Sequence, residues 1–129
     1  MIKFIEIRML HYKFKKYIDK LGFEYIKKVI AQQQSLQFDE VPFKVLKSIM
    51  YDIDRYCDKY VANNRCLYRS LIAKYMLKRR GYNVILCNGF DKKNKIFHTW
   101  LEDKNGNTIF ENGRKYERII WYDTFKKMV

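Results

Sequence analysis

Residues 63 to 82, NNRCLYRSLIAKYMLKRRGY, read as a helix with a thiol in its first turn. Asn63 and Asn64 are residue types that cap helix N-termini. With Asn64 as the cap, Cys66 falls where unpaired backbone amides and the helix dipole favour an anion. A thiolate is an anion, so this position should acidify the Cys66 thiol and raise its nucleophilicity near neutral pH. The plainer reading is a buried cysteine that happens to begin a helix. A thiol nucleophile wants an imidazole beside it, and the chain has two histidines. His11 lies in a basic N-terminal region with no supporting pattern and reads as a surface residue. His98 lies within FHTW, in the middle of a strand pattern.

Alternation along that strand puts Ile96, His98, Trp100 and Glu102 on one face and Phe97, Thr99 and Leu101 on the other. If Asn105 and Gly106 form a two-residue turn, Lys104 faces Asn107, Glu102 faces Ile109, Trp100 faces Glu111 and His98 faces Gly113. Glu111 then shares the His98 face, one diagonal step away and within reach of a long side chain. Glu111 is therefore the expected orienter of the imidazole. A bulge or a three-residue loop would exchange it for Asn112. Cysteine, histidine and acid, on a helix start and two neighbouring strands, describe a thiol-protease layout.

The elements that must position these groups follow from periodicity. Residues 2 to 34 read as two helices broken near Gly22, with lysines alternating with Phe14, Tyr17, Ile18, Leu21, Tyr25, Ile26 and Val29. QQQSLQFDEVP is a polar connection, and Pro42 suits the first turn of the next helix, with Asp39 or Glu40 near its start. From Phe43 to about Val61 one buried stripe contains Phe43, Leu46, Ile49, Met50, Ile53, Tyr56, Cys57 and Tyr60. Cys57 within it reads as a small buried hydrophobe. The helix from about Arg65 to Arg80 is stopped by Gly81. Cys66, Ser70, Ala73 and Leu77 share one face of it and Leu67, Leu71 and Tyr75 another, so it is expected in the middle of the domain. Arg69 needs a carboxylate or carbonyl partner there, and reads as structural or as a binder of a substrate carboxylate. YNVILCNGF, KIFHTWLED and NGNTIFEN read as strands, and KYERIIWYDTF as a fourth strand or a short final helix. Helices first and an antiparallel sheet afterwards make an α+β domain, read as one unit over 1–129, with a helical part over 1–62 and the chemistry in 63–129.

The totals narrow the class. The net charge of +13 either keeps the protein soluble or draws an acidic partner. The lysines are spread along the chain, and no zinc-finger spacing, glycine-rich phosphate loop or RNA-binding aromatic motif accompanies them, so nucleic acid is not the expected partner. Two distant histidines and scattered cysteines do not make a metal site, and no cofactor is expected. No apolar run is long enough to cross a bilayer, and the start lacks the apolar core of a signal peptide. Three cysteines cannot all pair within the chain, which fits thiols in the cytoplasm.

CLYRSLIAKYMLKRRGY, VILCNGF and FHTWLEDKNGNTIFEN together resemble the leader peptidase of lasso-peptide biosynthesis, over roughly residues 60 to 122. Cys66, Leu67, Arg69, Ser70, Leu71, Arg80 and Gly81 match that family's cysteine helix, and His98, Trp100 and Glu102 match its histidine strand. Thr99 replaces the usual alanine, and Glu111 stands where the family commonly has aspartate. The resemblance implies a papain-like, transglutaminase-like fold and a Cys66–His98–acid triad, with oxyanion support from the helix start and from Asn63 or Asn64. It implies a split form in which a separate small protein recognises the precursor's leader peptide. An ATP-dependent lasso cyclase would take up the released core. Two other readings stay open: a transglutaminase-like amidase or acyltransferase with another substrate, and a basic binding module in which Cys66 and His98 are structural.

Overall fold

The computed structural model describes residues 2–33, 36–91, 96–109 and 117–118. Four helices come first: α1 (Ile2–Leu21), α2 (Phe23–Gln32), α3 (Phe43–Tyr60) and α4 (Arg65–Arg79). Strands β1 (Ile85–Asp91), β2 (Ile96–Glu102), β3 (Thr108–Ile109) and β4 (Glu117–Arg118) follow, and form one antiparallel sheet in the order β3-β2-β1-β4. The α+β architecture expected from the change of period is the one observed.

The break between α1 and α2 is a backbone event. Gly22 has φ +60°, a conformation in which a side chain is strained. Helix α4 ends by a related device. Gly81, at φ +92°, donates its amide to Lys78, while the Tyr82 amide reaches back to Leu77. These two bonds form a Schellman motif, which satisfies the last carbonyls of the helix.

Helix α4 is the centre of the molecule and packs against α1, α3, β1 and β2. Leu71, Ile72, Ala73, Met76 and Leu77 are fully buried in a cluster shared with Ile7 and Phe14 of α1, Ile49, Ile53 and Cys57 of α3, and Leu86, Leu101 and Ile109 of the sheet. Helix α2 closes one side. The Gln33 side-chain amide donates to the Leu86 carbonyl at 2.8 Å and its oxygen accepts the Leu86 amide at 2.9 Å. A glutamine thus takes the place of a neighbouring strand there. Arg80 grips Glu6 of α1 through both terminal nitrogens, at 3.1 and 2.8 Å, and ties the end of α4 to the outer helix.

Three expectations change. The ends of the α3 stripe are not buried: Phe43 is 75% exposed and Tyr60 41%. The stripe continues past the surface it packs on, so periodicity alone overstates the core. Asp39 does not serve the start of α3. Its carboxylate accepts the Asn83 amide and its own backbone pairs with Asn83 and Lys104, bracing the loops at the end of the sheet. The β2–β3 turn is also not a two-residue one. Leu101 pairs with Ile109 and Glu102 with Thr108, leaving Lys104, Asn105 and Gly106 in the loop. A tight Asn-Gly turn needs positive φ at both residues, and among these only Gly106 has it, at φ +78°. The Asp103 carboxylate takes the amides of Asn105 and Asn107 and stabilises the wider loop.

Lys74 is a cation inside this core, 7% exposed, and its ammonium donates to the Val84 carbonyl at 2.5 Å. Burial pulls its pKa down from 10.5 to about 8. A lysine lowered on folding opposes the folded state while it is charged in both states, below about pH 8. As pH rises toward 10.5 the folded chain gives up the proton first, and the penalty fades. Wild type should therefore gain roughly 3 kcal/mol on Lys74→Met across that interval in urea unfolding. A difference that stays flat with pH would mean that Lys74 keeps its charge at no cost.

Candidate active site

Cys66 is the second residue of α4 and is half-buried, whereas Cys57 and Cys87 are buried. None of the three is joined in a disulfide. Asn64 stands at the N-cap position but makes no side-chain capping bond. Its backbone lies at φ +57°, ψ +37°, the left-handed conformation that asparagine tolerates better than most residues. Its carbonyl accepts the Tyr68 amide and opens the helix. The expected cap is therefore a chain-reversing residue: it turns the backbone out of the α3–α4 connection, and its side chain leaves the first-turn amides uncapped. Asn63 is exposed beside it.

Charges from α3 hold this helix start. Arg69 Nε binds Asp54 Oδ1 at 2.6 Å, and Arg65 pairs with Asp58 and, at 3.9 Å, with Asp54. Two carboxylates near a helix N-terminus would disfavour a thiolate on their own; the two arginines neutralise them and lock α3 to α4. Cys57, one turn from these groups, is governed by burial, which pushes its thiol up to about 11.

The sheet is joined to α4 through polar groups. The Ser70 hydroxyl donates to the Thr99 carbonyl at 3.1 Å, and both residues are buried. One turn further on, Lys74 reaches Val84, just before β1. Because β1 and β2 pair with Leu86 opposite Leu101, Val84 lies toward the end of β2. Helix α4 therefore runs the same way as β2. Cys66 precedes Ser70 by one turn, about 5.4 Å, and a strand rises about 3.3 Å per residue. The thiol thus lies one turn of α4 before the Ser70–Thr99 contact.

His98 is half-buried and is backed by its own row. Its ring stacks on the Trp100 indole with centroids 5.9 Å apart and planes 15° from parallel. The indole nitrogen donates to Glu102 Oε2 at 2.8 Å, and Glu102 is 6% exposed. A buried carboxylate thus fixes the indole, and the indole gives the imidazole a flat wall. On the alternate row Leu101 joins the core and the Thr99 hydroxyl donates to Asn88 Oδ1 at 2.8 Å.

Glu111 and Asn112 lie outside the described residues. A two-residue turn would put Glu111 on the His98 face; the hairpin closes on three residues, so that count no longer selects Glu111 over Asn112. His11, expected on the surface, is half-buried. It shares a 2.7 Å hydrogen bond with the Tyr56 hydroxyl and meets the rings of Tyr56 and Tyr68 edge-on. Burial, then Lys15 and Arg8, lower its pKa. Its bonding to Tyr56 makes it part of the α1–α3 packing.

Ser70, Glu102 and Asp54 are the supporting residues whose tasks the linear pattern does not reveal. The i, i+4 spacing of Cys66 and Ser70 is the signal available for Ser70. A bond to a strand carbonyl leaves no sequence trace.

The sequence model described as Transglutaminase-like superfamily matches residues 9–120. No curated protein and no solved structure matches the chain.

The burial difference sets an order of reactivity. Iodoacetamide should label Cys66 in the folded protein, while Cys57 and Cys87 react only after denaturation, as mapped by peptide mass. Labelling of Cys66 should also persist below the pH at which an ordinary thiol, pKa about 8.5, loses its reactivity. Equal labelling of Cys57 and Cys66 in the native state would contradict the packing described here.

Proposed function

Since the chain belongs to the transglutaminase-like superfamily, whose activities are of the cysteine-protease and acyltransferase type, we propose that it is a cysteine peptidase. Its proposed task is to remove the leader from a ribosomally made lasso-peptide precursor. The observation that supports this reading is the polar attachment of α4 to β2: the Ser70–Thr99 bond joins the helix that begins with a half-buried thiol to the strand that carries a half-buried histidine. The resemblance of the CLYRSL and FHTWLE segments to lasso leader peptidases supplies the substrate class.

In the proposed cycle the Cys66 sulfur attacks the carbonyl carbon of the leader–core amide, and His98 takes the thiol proton. The tetrahedral oxyanion is met by backbone amides at the start of α4, with Asn63 or Asn64 as a further donor. On collapse the C–N bond breaks, His98 protonates the core amine, and the leader remains as a thioester on Cys66. Water, deprotonated by His98, then attacks the thioester carbonyl, and the departing sulfur leaves a leader carboxylate. Asn112, which takes the place of Glu111 when the strand is counted from a three-residue loop, is proposed to orient the imidazole, with Glu111 in reserve. Trp100 fixes the ring plane, and Arg69 serves the fold through Asp54. A separate leader-recognition protein would deliver the precursor, and an ATP-dependent cyclase would consume the freed amine.

The family membership equally supports a second reading, in which an amine in place of water resolves the thioester. The two differ in product mass. Incubation with a leader–core peptide, with and without the recognition protein, should yield leader and core whose masses sum to the substrate plus one water. Cys66→Ala should lower the rate by at least about 10³-fold while circular dichroism stays unchanged. A leader fragment carrying an added amine would assign acyl transfer. Undiminished cleavage by the folded Ala variant would remove Cys66 from any catalytic role and leave a binding module.

A further inference from the structure

A trough of about 720 Å³ lies between the N-terminal half of α1 and the C-terminal half of α3. Its floor is apolar, made by Ile7 and the ring of Tyr56, with Phe4 and Tyr60 as walls. Phe4 is 42% exposed and Tyr60 41%, although Tyr60 belongs to the apolar stripe of α3. Arg55 and Lys59 line this trough, and Arg8 lies over the ring of Tyr60, one of its walls. Lys59 lies 5.5 Å above the Tyr60 ring, Arg8 5.3 Å above the same ring, and Arg55 5.6 Å above Tyr51. Among the described residues these three cations rest on rings and none pairs with a carboxylate. Elsewhere on α3 the arrangement is the reverse: Asp54 and Asp58 are neutralised by Arg65 and Arg69.

We propose that this trough binds an acidic peptide segment that inserts one aliphatic or aromatic side chain between Phe4 and Tyr60. The three cations around it match carboxylates on the segment, and the exposed walls match an apolar anchor. The lining spans residues 52–60 of α3, roughly 12 Å of helix, which suits an amphipathic segment of about two turns lying between α1 and α3. Nucleic acid fits less well. The rings are packed on one another, Phe4 against Tyr56 at 66° and against Tyr60 at 63°, so they offer edges where bases require open faces. A bilayer surface does not enter a concavity. This binding role is independent of the chemistry assigned to Cys66.

Fluorescence polarisation with labelled two-turn peptides tests it. An acidic peptide with a central leucine should bind the full chain, more weakly as salt rises. Glutamine in place of its glutamates, or serine in place of the leucine, should each weaken binding. The double variant Arg55→Glu, Lys59→Glu should lose about tenfold or more in affinity. Lys28→Glu, an exposed lysine of α2, should bind as wild type does. Absence of acidic-peptide binding, or equal loss in Lys28→Glu, would overturn the proposal. So would displacement of the peptide by a single-stranded oligonucleotide or by anionic vesicles that bind more tightly at the same face. If the double variant is misfolded, amide chemical shifts decide on the wild-type protein. Changes clustered at Phe4, Tyr56 and Tyr60 support the trough, and changes confined to other surfaces exclude it.

Discussion

Helix α4 is buried on nearly every side, and a buried helix must find partners inside the protein for each polar group it carries. Ser70 and Lys74 lie on it with almost no access to water, and each meets a main-chain carbonyl near the sheet. Those two bonds lie one helical turn apart and set both the direction and the axial position of α4 over β1 and β2. The position of Cys66 relative to the sheet follows from them, since a helix is too stiff to slide one end alone. Arg80 against Glu6 and Arg69 against Asp54 then fasten the two ends of the same helix to α1 and α3. Hydrophobic burial supplies most of the driving force for this packing, while the polar bonds select one alignment among the several that a greasy helix could adopt.

The excess of positive charge has two different local forms. Around the start of α4 arginines are matched to aspartates, and the result is a braced, nearly neutral junction. Around the α1–α3 trough the cations lie over aromatic faces, which hold them weakly and keep them near water. An ion pair consumes a charge for architecture, whereas a cation on an exposed ring remains available to an incoming carboxylate. Thus a net charge that describes the whole chain separates into a structural part and a recognition part.

Much of this was readable from residue order because the physics is local. The break at Gly22, the stop at Gly81, the all-round apolar character of α4 and the switch from helix period to strand period depend on neighbours within a few residues. The hairpin shows where local reasoning fails. Asn105-Gly106 has the signature of a two-residue turn, yet the Asp103 carboxylate captures two loop amides and makes three residues the better closure. A shift of one residue transposes every side chain to the other face. For that reason a two-residue count along the hairpin could not select the residue proposed to orient His98. Tyr60 and Phe43 fail for another reason: their helical spacing is right, but the surface that would cover them ends before they do.

The sequence by itself determined the inventory: a thiol in the first turn of a helix, a histidine flanked by Trp100 and Glu102 on a strand, and helices that precede an antiparallel sheet. These follow from periodicity and end signals that act over one or two turns. Only the tertiary structure decided that Ser70 joins the cysteine helix to the histidine strand, that Lys74 is a core residue, that His11 belongs to the aromatic packing, and that Phe4 and Tyr60 face an open trough. Each depends on contacts between segments far apart in the chain, and which segments meet is set by the packing of the whole core.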